Sequence, residues 1–125
     1  MKNLIIDAGK DKIFFNIISN NKSYTSEYIN NRENFDKIVT LLFEFLELKN
    51  IEIDEISNVF VNQGSGKFSG IRASIAIVKG LRFAKKLDIY GYNSHQVTDN
   101  NYEKIIDLFN NGILKKNLIK PSYSS

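Results

Sequence analysis

The feature that most constrains this chain is a glycine-punctuated loop, Gln63-Gly64-Ser65-Gly66-Lys67-Phe68-Ser69-Gly70-Ile71-Arg72. It follows the short apolar run Asn58-Val59-Phe60-Val61 and precedes Ala73 to Leu87, a stretch without proline whose one glycine is Gly80. Strand, glycine turn and helix N-terminus in that order place backbone N–H groups around the turn. Two readings stand side by side. In one the loop meets phosphate; in the other Gly64 and Gly66 let the backbone turn sharply and Ser69 caps the helix. Spacing excludes two nucleotide motifs. A Walker A loop needs Lys-Ser/Thr after its second glycine, and Ile71 follows Gly70. A dinucleotide fingerprint needs G-x-G-x-x-G, which Gly64, Gly66 and Gly70 miss by one position.

The chain around this loop suffices for one domain: 125 residues, 42% of them hydrophobic. With no cysteine and a single histidine, His95, neither a disulfide framework nor a thiolate or histidine metal site is expected. No cationic leader or long uncharged apolar run is present, so a cytoplasmic protein without membrane contact is expected. The net charge is +3, and 14 of the 17 basic residues are scattered lysines, which argues against a dedicated nucleic-acid surface.

Residues 3–29 read as a three-stranded meander. Asn3 to Ile6 and Lys12 to Ser19 are β-rich, Asn20-Asn21 suits a two-residue turn, and Lys22 to Ile29 alternates Tyr24, Ser26 and Tyr28 on one face. From Glu33 to Lys49 the period becomes helical, with Phe35, Ile38, Val39, Leu42, Phe45 and Leu46 in one stripe and Leu41, Phe43 and Leu48 outside it. A second long helix, Gly70 to Lys86, carries Ala73, Ala76, Ile77, Gly80, Leu81, Phe83 and Ala84 on a broad face suited to a sheet. Ile71, Ile75 and Val78 form a second apolar cluster pointing away from it. Each helix therefore shows more apolar surface than one sheet needs. Either the helices also pack on each other, or their outer faces join an intermolecular bundle. A strand Asp88 to Tyr92 and a helix from Tyr102 to Asn110 complete a βββαβαβα order, a mixed five-stranded α/β unit.

The string from Val61 to Arg72, followed by Ala76, Lys79-Gly80-Leu81 and Tyr90-Gly91-Tyr92-Asn93-Ser94, resembles the signature of the bacterial TsaB (YeaZ) family. Leu4-Ile5-Ile6-Asp7 looks like that family's opening strand, and Glu33 with Phe35 like the start of its first long helix. The resemblance implies a ribonuclease-H-like core, as in the actin, hexokinase and Hsp70 ATPases, and no catalysis by this chain. It implies a partner, the related enzyme TsaD, which with TsaB and the ATPase TsaE makes threonylcarbamoyladenosine at position 37 of tRNA. ATP would then sit on partner subunits, and tRNA would be met only through the complex. Partner contact, or homodimerisation when the chain is alone, is expected through Leu41, Phe45, Leu48, Ile71, Ile75, Val78 and Arg82. Gly64, Gly66, Phe68, Ser69, Gly70 and Arg72 would form a structural loop.

The sequence also departs from the family. Ser65 and Lys67 replace its usual proline and serine, Ala8-Gly9 replaces Thr-Ser, and its second domain is reduced to residues 95–125, a short helix and a tail containing Pro121 and Tyr123. Residues 1–94 would be the TsaB-like domain. Two other readings are open to the same residues. A small phosphotransferase or hydrolase would use Asp7 at the end of the first strand together with the glycine loop. Direct tRNA binding would use Lys115, Lys116 and Lys120.

Overall fold

In the computed structural model, residues 2–20, 22–64, 66, 68–84, 87–98, 101–114 and 116 are described, without the side chains of residues 35, 68, 69, 83 and 84. Strands β1 (Lys2–Asp7), β2 (Lys12–Ser19) and β3 (Lys22–Ile29) form the antiparallel meander, turning at Asn20 with φ 54°. The left-handed backbone there suits asparagine. Strand β4 (Ile56–Gly64) joins the free side of β1 in parallel, and β5 (Asp88–Asn93) joins β4, giving the order β3-β2-β1-β4-β5. Central β1 and β4 are buried on both faces, which is why the middle of each, Leu4-Ile5-Ile6 and Val59-Phe60-Val61, is continuously apolar; edge strand β3 is half-buried and alternates.

Helices α1 (Arg32–Asp36), α2 (Ile38–Leu48) and α3 (Phe68–Ala84) connect β3 to β4 and β4 to β5. One core lies between α2, α3 and the sheet, where Phe45 stacks on Phe15 with centroids 6.1 Å apart. Beyond β5, α4 (Glu103–Asn110) builds a second core on the opposite face from Ile105, Tyr102, Ile5, Phe60 and Tyr92. Phe109 meets both Phe60 and Tyr90 edge-on there, at 5.4 and 5.0 Å. The sheet is thus covered on both sides, as expected of parallel strands linked by helices.

Three expectations are corrected. The helix from Glu33 to Lys49 is two helices, broken at Lys37, whose backbone (φ −122°, ψ 23°) leaves the helical region; nothing in the local sequence explains the break. Helix α3 already starts at Phe68, so Ser69 lies in its first turn rather than before it. The third concerns which face of α3 turns inward. Ile71, Ile75 and Val78 are buried in the core, while Ala76 and Gly80 are exposed and Ala73, Ile77 and Leu81 half-buried. Ile71, Ile75 and Val78 recur at i, i+4 and i+7 and form the stripe that a sheet buries, with Ile77 and Leu81 packed against the core at its margin. Ser74 accompanies the bulky residues inward because its hydroxyl donates to the Ile71 carbonyl at 3.0 Å. Leu41 and Phe45 are likewise core residues. Of the expected partner-contacting residues, only Leu48 and Arg82 lie on the surface. Among the described residues no helix is long and apolar enough to cross a membrane.

Candidate functional site

The C-terminal ends of β1 and β4 and the N-terminal ends of α3 and α4 converge on Asp7, which is fully buried. A buried carboxylate needs donors on both oxygens, and Asp7 has them. Its Oδ1 accepts from the Gly9 N–H at 3.2 Å and from Asn62 Nδ2 at 3.0 Å. Its Oδ2 accepts from the Tyr102 hydroxyl at 2.9 Å and lies 3.7 Å from Lys10 Nζ. Asn62, inside β4, extends the network: its Nδ2 also donates to Ser94 Oγ at 3.0 Å, and its Oδ1 accepts from the Gly64 N–H at 2.9 Å. The Asn30 side chain donates to the carbonyls of Ala8 and Lys10, tying the exit of β1 to the end of β3.

Two phenols define the electrostatics. Tyr102 is held well above the ordinary tyrosine range, first by burial and then by the charge of Asp7. Tyr92 is raised for the same two reasons. Both therefore stay neutral, and Tyr102 remains a donor to the carboxylate.

The glycine loop closes over the same place. A Cβ on Gly66 would stand 2.7 Å from the Gly9 carbonyl oxygen, and one on Gly70 would collide with the Ala8 carbonyl. Only glycine lets the β4–α3 connection press this closely on the backbone leaving β1. Gly66 and Gly70 thus bring the segment between β4 and α3 against the backbone leaving β1, with Arg72 exposed beyond it. Ser65, Lys67 and the side chains of Phe68 and Ser69 lie outside the described residues, as do Lys115, Lys120, Pro121 and Tyr123. Lys116 is exposed and pairs with Asp88 at 3.1 Å. His95 is exposed on a short turn after β5, and among the described residues no group of three His, Cys, Asp or Glu could hold a metal ion.

Asp7 stands out in the sequence at the end of an apolar strand, where the phosphotransferase or hydrolase reading places it. Asn62, Ser94, Tyr92 and Tyr102 were not singled out for chemistry. A buried asparagine inside an apolar strand such as Val59-Phe60-Val61-Asn62 is the one local signal that a polar network lay there.

No family model and no curated protein matches the chain. Among solved structures, YeaZ from Pseudomonas aeruginosa matches with a TM-score of 0.67 and 16% identity, over 74% of this chain and 43% of that one. A structure of an uncharacterized protein with similarity to peptidase YeaZ from the same organism gives the same values. RuvC from Thermus thermophilus, in complex with Holliday junction substrate, matches with a TM-score of 0.53 and 15% identity, over 90% of this chain and 78% of that one. The fold is therefore the ribonuclease-H-like α/β fold expected from the sequence. The chain spans less than half the length of the YeaZ structures it matches.

Proposed function

We propose that this chain is a noncatalytic, TsaB-like subunit that docks on a TsaD-like enzyme through the outer faces of α2 and α3, and so supports threonylcarbamoyl transfer to adenosine 37 of tRNA. The observation that carries this reading is the apolar surface left outside both helices. On α2, Val39 and Phe43 stand one turn apart, 48% and 41% exposed, and Leu48 is 77% exposed. On α3, Ala73, Ala76 and Gly80 share the side turned away from the sheet, with Ile77 and Leu81 half-buried at its margin and packed against the core, and a Cβ on Gly80 would meet nothing within 4 Å. Small residues on such a face let a second helix approach closely, since interaxial distance is set by the side chains at the contact. The docking residues are thus read as this outer set together with Leu48 and Arg82, in place of the buried Ile71, Ile75 and Val78.

The state of Asp7 supports a noncatalytic role. A carboxylate that orients water or metal must be reachable by it, and Asp7 is fully buried with donors from the fold on both oxygens. The fold shared with YeaZ agrees with the signature around the glycine loop. Co-expression with the TsaD of the same genome, followed by size-exclusion chromatography and a tRNA modification assay, tests the reading. A stable complex and a gain in modification are expected; neither appearing would end it. ATP would be met on the partner subunits, TsaD and a TsaE-like ATPase. Alone, the chain would cover the same faces by forming a homodimer.

A further inference from the structure

The end of the sheet remote from Asp7 holds a cavity of about 530 Å³. Strand register builds its floor: Lys2 of β1, Ser19 of β2 and Lys22 of β3 are direct neighbours and project from the same face. Neighbouring strands lie about 4.8 Å apart, so the two lysines flank Ser19 across roughly 10 Å. Arms of their length can both reach one small group held above the serine. Tyr24, two residues beyond Lys22, lines the same face, and Lys49 closes the cavity from the end of α2 with its Nζ 5.6 Å from the Tyr24 ring centre.

Three cations converge there against one carboxylate, Glu55, which is already engaged. One of its oxygens lies 3.5 Å from Lys2 Nζ, and the other accepts the Glu52 N–H at 2.7 Å. That backbone hydrogen bond, followed among the favourable influences by Lys2, holds Glu55 below the usual carboxylate range. The carbonyls of Phe45, Leu46 and Glu47 at the end of α2, which would repel an anion, accept the N–H groups of Lys49, Asn50 and Ile51. Lys22 and Lys49 thus bring two positive charges into the cavity with no carboxylate in its lining left to balance them. Like charges gathered on one face of a sheet are unfavourable without a counter-ion.

We infer that this cavity is a phosphate site, holding the oxyanion of a nucleotide between Lys2, Lys22 and Lys49 over the Ser19 hydroxyl, with the Tyr24 ring as a surface for the base. Three point charges and a hydroxyl donor suit a group with several charged oxygens better than a carboxylate. An aromatic ring beside a cationic groove is the arrangement on which nucleobases stack. The phosphate is either that of a free nucleotide or that of an RNA backbone.

Titration of the intact chain at constant ionic strength with inorganic phosphate, AMP and a short oligouridylate, followed by amide chemical shifts, tests the inference. Saturable shifts confined to Ser19, Lys22, Tyr24 and Lys49 are expected. They should weaken on the order of tenfold for each lysine lost in Lys22→Ala and Lys49→Ala, as charge-assisted hydrogen bonds do. Both lysines are exposed, so circular dichroism should show the fold retained. Tightest binding by AMP assigns a free nucleotide. Tightest binding by the oligouridylate, falling with salt, assigns the RNA backbone. Shifts that do not saturate, that spread equally to Lys10 and Lys104, or that survive both substitutions would overturn the site.

Discussion

The Tyr102 hydroxyl donates a 2.9 Å hydrogen bond to Oδ2 of Asp7, joining α4 on one face of the sheet to the end of its central strand. Both side chains are buried and 95 positions apart, so this bond closes the largest loop in the described network. A hydrogen bond to a buried charge contributes about 1.5–3 kcal/mol, roughly twice a neutral one. Tyr102→Phe should lower stability by that amount in urea unfolding with an unchanged slope. Asp7→Asn should cost more, because it removes the charge these donors face and turns an NH₂ either toward Gly9 N–H and Asn62 Nδ2 or toward the Lys10 ammonium. A loss below about 0.5 kcal/mol for Tyr102→Phe would show that the bond does not persist in solution.

Tyr102 and its neighbour Tyr92 set an alkaline limit. Tyr92 and Tyr102 keep their protons in the fold beyond the pH, near 10, at which a free tyrosine releases its own. Above that pH the unfolded chain binds fewer protons than the native one, so their contribution, complete below about pH 10, declines as pH rises further. Urea unfolding between about pH 8 and about pH 11 should show this decline, and Tyr102→Phe should make it shallower. The tyrosinate absorbance of these two residues should appear together with unfolding. Their ionisation in a still-folded chain would contradict the burial described above.

The two faces of α3 separate stability from association. Ile75→Asp places a charge in the core and should unfold the chain, since an unpaired buried charge costs several kcal/mol. Ala76→Asp sits on the exposed side and should leave the melting temperature nearly unchanged while abolishing complex formation on size-exclusion chromatography. Phe43→Asp on α2 should behave like Ala76→Asp. If both outer variants still associate, the docking face lies elsewhere.

These faces also mark the limit of what the sequence made legible. The bounds of β2 and β3 could be read directly, because alternation and an asparagine turn are local signals. Helical periodicity found both apolar sides of α3 but assigned the inward role to the smaller residues. Both sides carry bulky apolar residues, Ile77 and Leu81 on one and Ile71, Ile75 and Val78 on the other, so periodicity alone does not say which turns inward. The Asp7 network could not be read in the same way. Its position at the end of a β-strand is visible, yet its partner Tyr102 lies 95 positions away, a pairing that no local pattern encodes. The glycine loop is an intermediate case. Its spacing excluded two nucleotide motifs, but the contact of Gly70 with the Ala8 backbone depends on the pairing of β1 with β4.

Two glycines of α3 should respond in opposite directions to the same substitution. At Gly70 an added methyl meets the Ala8 carbonyl, and neither backbone can move without disturbing the pairing of β1 with β4. Gly70→Ala should therefore destabilise by the 1–3 kcal/mol or more typical of overpacking, at about that order. At Gly80 the backbone is helical and the added methyl meets open space. Gly80→Ala should stabilise the monomer by about 0.5–1 kcal/mol, because alanine loses less backbone entropy in a helix. If a partner helix packs closely at that position, the same methyl should weaken association even as the monomer becomes more stable. Thermal melts of the isolated chain and titration with the partner separate the two effects. A more stable monomer with undiminished affinity would place the helix contact away from Gly80.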